Sequence, residues 1–169
     1  MGYLAFGGIA PVNTTHTAVT VPVQQWEVNS GSSQYMYYTI NIDAYIFNGS
    51  TALTGSGKKA ILDTGTTFNY LPTALVEAYN SRFVPPAKHD GNWYFVNCNA
   101  TAPIFEVQIG GIAFNIDPRD NIMPVGAYPN GTIICSSGVL DGGDPSNSSR
   151  IYILCVPQFR NMSIFYVDK

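Results

Sequence analysis

The chain has 169 residues, 46% of them apolar and only 11% charged, with a formal net charge of −3. That length suits one domain built on a single core, and so low a charge excludes a charge-rich disordered chain. The slight acidity offers no footprint for nucleic acid. The longest apolar run, Ile151 to Pro157, falls well short of the roughly 18 residues of a membrane span.

Met1 is followed at once by "GYLAFGGI", with neither the basic start nor the long apolar stretch of a secretory leader. Strands are predicted over Tyr3–Ile9 and Ala18–Val23, and Asn29–Ser33 reads as a loop. "YMYYTINIDAYIF" alternates: Met36, Tyr38, Ile40, Ile42, Ala44 and Ile46 on one face, polar or tyrosine residues on the other. That period marks a half-buried strand, with Tyr35, Tyr37 and Tyr38 expected to pack on a β surface. "GSGKK" at Gly55–Lys59 lacks the upstream glycine of a phosphate-binding loop and reads as a hairpin turn. Ala60-Ile61-Leu62 is a short buried strand that stops in Asp63-Thr64-Gly65-Thr66.

A helix is predicted from Pro72, where proline's missing N–H costs nothing. Leu75, Val76, Tyr79 and Phe83 share its inner face, and Pro85-Pro86 ends it. "FEVQIGGIAFNI" is a hairpin turning at Gly110-Gly111. Its register places Ile109 opposite Ile112, Val107 opposite Phe114 and Phe105 opposite Ile116, which makes one face wholly apolar. Further strands are expected at Trp93–Cys98, Thr132–Cys135, Tyr152–Val156 and Ser163–Val167, with a loop at Gly142–Ser149. The expected architecture is mainly β, with one or two short helices in a single domain over residues 1–169.

Cys98, Cys135 and Cys155 fit no zinc or redox spacing. Six N-x-S/T sequons, at Asn13, Asn48, Asn99, Asn130, Asn147 and Asn161, point to the secretory pathway and are expected on the surface, mostly in loops. Six sequons without a leader agree if the chain is part of a longer protein. In an oxidising compartment, one disulfide and one leftover thiol is the natural count. Cys98 and Cys135 stand at the ends of the hairpin region and are the expected pair, closing a loop worth about 4 kcal/mol on the chain-entropy estimate. Cys155 lies in an apolar strand and is expected to be a buried free thiol.

Asp63 is the residue that calls for an explanation. Burial at a strand end disfavours its charged form and raises its pKa; the Thr64 and Thr66 hydroxyls can steady it, and Gly65 lets the backbone turn and another chain approach. A bare D-T-G is also an ordinary Asx-type turn. The context is longer than that. "AILDTGTTFNYLP" resembles the second catalytic loop of the pepsin-like aspartic proteases, in particular the carboxy-terminal lobe of the fungal secreted enzymes. "GYLAFGGI" is similar to the segment that precedes this lobe's main strands. "YFVNCNATAPIFEVQIGGIAFNI…TIIC" is similar to its disulfide-closed hairpin region, and "IYILCVPQFRNMSIFY" to its late W-I-L-G-D segment. The resemblance covers nearly the whole chain.

The resemblance implies one lobe of the pepsin-like double-β-barrel fold, in an aspartic endopeptidase acting on extended peptides. Two aspartates, one from each lobe, would share a proton and activate water. Asp63 would be one of them. Thr64 would brace the loop against its counterpart, Gly65 would shape the turn, Thr66 would hydrogen-bond the Asp63 carboxylate, and Thr66 with Thr67 would line the substrate cleft. The partner would be an amino-terminal lobe absent from this chain; no cofactor or metal is implied, and the location would be extracellular or within the secretory pathway, the vacuole included.

Three departures stand out. There is one D-T-G and no second, and the nearest alternative, Asp141-Gly142-Gly143, lacks the hydroxyl. Cys155 replaces a family glycine, where its side chain would crowd the loop, and Val156-Pro157-Gln158 follow where Asp and Phe are expected. The chain ends at Lys169, before the family's usual final strand. Two other functions fit the same residues: an inactive pepsin-like binding lobe, and a self-dimerising protease that uses two copies of Asp63. His16 and His89 sit in polar stretches suited to the surface, and no serine has a nucleophile-elbow context.

Overall fold

The computed structural model describes residues 18–29, 32–143 and 152–155, with the backbone alone for 27–29 and 53–58. Among the described residues the first elements are β1 (Trp26–Asn29), β2 (Ser32–Gln34), β3 (Thr39–Phe47) and β4 (Ser50–Leu62). It continues through β5 (Asn69–Pro72), α1 (Thr73–Asn80), β6 (Lys88–Asp90), β7 (Trp93–Val96), β8 (Phe105–Ile109) and β9 (Ile112–Ile116). After a 3₁₀ turn at Pro118–Asn121 come β10 (Ile122–Ala127), β11 (Ile133–Ser137), β12 (Val139–Gly143) and β13 (Tyr152–Leu154). The fold is mainly β, as expected.

A seven-stranded sheet in the order β12-β5-β13-β4-β3-β8-β9 carries the architecture, beside a four-stranded sheet, β10-β11-β7-β6, and the small β1-β2 pair. The hairpin β8-β9 has the register read from its residues: Phe105 faces Ile116, Val107 faces Phe114 and Ile109 faces Ile112. Its turn is Gly110-Gly111, with φ of 56° and 82°. Gly110 is required twice over, because a Cβ there would also come within 2.3 Å of Val19 Cγ2.

The long alternating strand behaves differently from expectation. It begins at Thr39, and Tyr35, Met36, Tyr37 and Tyr38 lie before it, exposed, rather than packed on a sheet. Ile40, Ile42 and Ala44 are buried, but then Tyr45 and Phe47 turn inward while Ile46 is only half buried. Irregularities in the β3-β4 ladder between Ile42 and Ala44 and between Tyr45 and Ile46 explain the change. A bulge breaks the period of two, so the inward face moves to the other set of residues.

Gly55–Lys59 is not a turn. β4 runs through it, and the β3-β4 turn is Asn48-Gly49, φ 51° and 74°, the two positive values of a type I′ turn. Ala18–Val23 is irregular rather than a strand, and Asn29, Ser32 and Ser33, expected in a loop, belong to the paired strands β1 and β2, with Ser30 and Gly31 outside the described residues. The strand expected at Trp93–Cys98 ends at Val96, the one at Thr132–Cys135 runs from Ile133 to Ser137, and the one at Tyr152–Val156 ends at Leu154. Gly142 and Gly143 close β12, where a loop was expected to begin. The predicted strands Tyr3–Ile9 and Ser163–Val167, the rest of that loop, and Asn13, His16, Asn147 and Asn161 lie outside the described residues.

Pro72 ends β5 and occupies the cap position of α1, one residue ahead of the first helical position. The helix stops at Asn80, three residues short of Phe83. The Asn80 side-chain amide donates to the carbonyls of Val76 (3.0 Å) and Val139 (3.2 Å), tying the helix end to β12. Phe83 nevertheless enters the core, 1% exposed. There Phe47, Tyr79, Phe83 and Phe105 meet edge to face or tilted, with centroids 5.1–5.5 Å apart. The buried Tyr79 hydroxyl donates to the Pro103 carbonyl at 3.2 Å, and burial pushes its pKa up.

Cys98 and Cys135 are joined by a disulfide, with Cα atoms 5.3 Å apart, and Cys155 is a buried free cysteine. The bond ties the turn after β7 to the middle of β11, across a sequence separation of 37. Replacing Cys98 and Cys135 together by serine is expected to cost about 2–4 kcal/mol in chemical denaturation. An unchanged denaturation midpoint would mean that the four-stranded sheet holds that loop without the bond.

Candidate active site

Asp63 stands where two strands end side by side. β4 and β13 are parallel, with Leu62 opposite Leu154, and β5 lies antiparallel on the far side of β13. The chain therefore leaves β4 at Leu62, passes over the end of β13, and re-enters the sheet at Asn69. The connecting loop holds Asp63, Thr64, Gly65, Thr66, Thr67 and Phe68 at the carboxyl ends of these strands. The Asp63 N–H donates to the Leu154 carbonyl at 3.0 Å, and the Leu62 N–H to the Tyr38 carbonyl at 3.0 Å, so the backbone at Asp63 and at the residue before it is pinned.

The carboxylate itself is half exposed. Its Oδ1 accepts the Gly65 N–H at 2.8 Å, and its Oδ2 accepts the Thr66 hydroxyl. A Cβ on residue 65 would sit 3.2 Å from Oδ1, a tight approach that glycine avoids. The reading from sequence alone expected burial to raise the pKa of Asp63. The structure gives the opposite direction: the Thr66 hydroxyl first, then the Gly65 amide, hold it below the ordinary aspartate value, and the smaller effect of burial does not reverse them. A half-exposed carboxylate keeps most of its hydration, so donated hydrogen bonds decide.

Thr66→Val keeps the branched shape and removes the hydroxyl. The Asp63 pKa is expected to rise toward 3.8, its ordinary value, in a carboxyl titration followed by NMR. Because the folded pKa is depressed, the stability this group contributes is complete above the unfolded value and is lost as pH falls through the folded one. The variant should lose less stability across that acidic window. A titration unmoved by Thr66→Val would show that the hydroxyl does not set the charge.

Cys155 follows β13 directly and is fully buried against the same loop. Its thiol donates to the Thr67 carbonyl at 3.2 Å and its N–H to Asn69 Oδ1 at 3.1 Å. Burial, with a smaller contribution from the Asp63 charge, pushes the thiol up to about 12, so it stays protonated and remains a donor. The expected crowding does not take apart the loop: the Cys155 side chain packs beneath it while both hydrogen bonds to the Asp63 carboxylate are kept.

Thr64 and Thr67 are exposed and Thr66 is half buried, and of the three hydroxyls it is that of Thr66 that bonds the carboxylate. Phe68 anchors the end of the loop edge to face on Trp93, 5.6 Å away, which couples it to the second sheet. Asn69 was not singled out from the sequence, yet it is fully buried and holds the residue after β13 in place. The signal was present: it is the one polar residue in Phe68-Asn69-Tyr70-Leu71.

Asp141 does different work. Its Oδ1 accepts both the Thr73 hydroxyl and the Gly143 N–H, each at 2.8 Å. A carboxylate beside the first residue of α1 also favours the helix dipole, so this D-G-G is accounted for by structure. His89 is exposed and stacked on Tyr94. Among the sequons, Asn48, Asn99 and Asn130 are all exposed and lie in turns. No helix among the described residues is long and apolar enough to cross a membrane.

Residues 1–166 match the sequence profile of the family described as eukaryotic aspartyl protease. The chain is 38% identical over 165 residues to a probable aspartic-type endopeptidase of Aspergillus fumigatus, covering 95% of this chain and 37% of that protein. It is 31% identical over 163 residues to a putative aspergillopepsin A-like aspartic endopeptidase of Arthroderma otae (91% and 35%). It is 32% identical over 124 residues to pregnancy-associated glycoprotein 2 of Bos taurus (72% and 31%). The chain thus spans about a third of the length of these relatives.

Proposed function

The chain belongs to the eukaryotic aspartyl protease family, and from that premise we propose that it is the carboxy-terminal lobe of a two-lobed aspartic endopeptidase, with Asp63 as one of two catalytic carboxylates. The observation that carries this reading is the placement of a half-exposed carboxylate at the ends of β4 and β13, steadied by Thr66 and Gly65 and open on one side. Each carboxylate oxygen accepts one hydrogen bond from its own loop and keeps lone-pair capacity for water or a shared proton.

The chemistry follows the general logic of aspartic proteases. Two carboxylates in contact cannot both ionise cheaply, so the pair holds one proton. The ionised member takes a proton from water as its oxygen adds to the peptide carbonyl carbon, and the protonated member gives its proton to the carbonyl oxygen. A proton returned to the amide nitrogen lets the C–N bond break. Within this scheme Thr64 braces the loop against the other lobe, and Thr66 and Thr67 border the cleft in which an extended peptide lies. The substrate is a peptide or protein, and the other partner is an amino-terminal lobe carrying its own D-T/S-G.

The six sequons and the disulfide support a secreted or vacuolar location, as does the word glycoprotein in the name of the bovine relative. The test is complementation. The chain alone should not hydrolyse a denatured protein at acidic pH, and activity should appear when an amino-terminal lobe with a D-T/S-G is supplied in the same chain. Cleavage by the chain alone that is lost on Asp63→Asn would replace this reading with self-dimerisation. Absence of activity even with the second lobe would leave an inactive binding lobe.

A further inference from the structure

We propose that the tip of the β10-β11 hairpin is a built glycan platform: an N-linked sugar on Asn130 packs its first N-acetylglucosamine against the exposed ring of Tyr128 and the side chain of Thr132, and thereby stabilises the fold. The inference is independent of catalysis at Asp63.

The turn is Tyr128-Pro129-Asn130-Gly131-Thr132, between Ala127 and Ile133, which pair across the two strands. The Gly131 N–H donates to the Tyr128 carbonyl at 2.9 Å, closing a β-turn with Pro129 and Asn130 at its centre. Gly131 has φ 82°, whereas Asn130 has no positive φ, which excludes a type II turn. Proline second and glycine fourth in a type I turn, with that glycine left-handed, make a G1-bulged hairpin loop. The Tyr128 N–H then donates to the Thr132 carbonyl at 2.9 Å, so Tyr128 and Thr132 face each other across the mouth of the turn. Facing residues hold their Cβ atoms about 5 Å apart.

Asn130 is fixed in this frame. Its Oδ1 accepts the N–H of Thr132, the third residue of its own sequon, at 3.0 Å. That Asx turn holds the carboxamide beside the Tyr128–Thr132 pair and leaves Nδ2, the atom that is glycosylated, at an exposed residue. Tyr128 beside it is 57% exposed, so its ring offers apolar surface to a group held at Asn130. A pyranose presents C–H groups on one face and hydroxyls at its edge. Seated on the ring, it takes apolar area out of water while its polar edge stays solvated.

The other described sequons lack this arrangement. Asn48 stands in a two-residue turn with its Oδ1 committed to the Ile104 N–H at 2.8 Å. At Asn99 the local Asx bond is made by Asn97 instead. Neither has an aromatic residue two positions before it, as Asn130 has in Tyr128.

The test uses the whole chain secreted from a yeast host. Glycopeptide mass spectrometry should find Asn130 occupied more fully than Asn48 and Asn99, a readout that needs no variant to fold. Trimming every glycan to its first sugar should leave the melting temperature unchanged, and Asn130→Gln should lower it by about 2–4 °C. In a Tyr128→Ala background the Asn130→Gln shift should shrink to less than half, leaving only the loss of the Asx bond to Thr132, and Tyr128→Phe should restore the full shift. Asn130 left bare on secreted protein, or an equal shift with and without the Tyr128 ring, would overturn the proposal.

Discussion

Asp63→Asn, made in the two-lobed enzyme, is expected to lower peptide hydrolysis by about 10²–10⁴-fold, the span contributed by a general acid–base group. The fold should survive. Asparagine is the same size, its Oδ1 can still accept the Gly65 N–H, and the Thr66 hydroxyl can rotate to accept from its amide nitrogen. Circular dichroism and the denaturation midpoint near neutral pH should therefore change little, which separates a lost proton acceptor from a lost structure. The acid side should change. The wild-type carboxylate contributes stability that falls away as pH drops through its depressed folded pKa, and the asparagine variant has no such loss. Undiminished hydrolysis would remove Asp63 from the chemistry.

Phe105→Ala is expected to cost about 3–5 kcal/mol, the usual range for emptying a large aromatic site. Phe105 is 0% exposed and lies 5.2 Å from Phe47, 5.4 Å from Tyr79 and 6.2 Å from Tyr45, centroid to centroid. Those residues come from β3 and α1, while Phe105 comes from β8, so one ring locks three elements together. The cavity cannot close easily, because Tyr79 is held by Pro103 and Phe47 sits beside a turn fixed by Asn48 and Ile104. A urea titration should show the midpoint lowered and the slope unchanged. A cost below about 1 kcal/mol would show that the ring cluster repacks and does not organise the core.

What could be read from the residues depended on how local the signal was. The β8-β9 hairpin was legible to the residue because two glycines set the turn and three apolar pairs fixed the register. The β3 strand was legible in existence but not in phase: its bulges arise from pairing with β4, and no residue of β3 announces them. The Asn48-Gly49 turn was a strong local signal masked by its other identity as a sequon, and Gly55–Lys59 drew the turn assignment instead. β5 and β12 escaped because they are short parallel partners, where alternation is absent and glycines end the run. At the site, the hydrogen bond from Thr66 to Asp63 and the turn at Gly65 were legible. The sign of the Asp63 pKa change was not, because it depends on how far the strand end stands out of the core. Asn69 and the packing of Cys155 depend on β13 returning between β4 and β5 from about 90 residues away, which only the folded topology reveals.

The central claim is that Asp63 is half of a proton-sharing pair, and the most direct measurement is its own titration. A ¹³C-carboxyl NMR titration of Asp63 should give, in the chain alone, a single step below the ordinary value of 3.8. With the amino-terminal lobe in place, the same carboxyl should titrate in two coupled steps, one of them raised above that value, because two adjacent carboxylates resist ionising together. A single depressed step that is identical with and without the second lobe would contradict the claim, since no partner carboxylate would then share its proton.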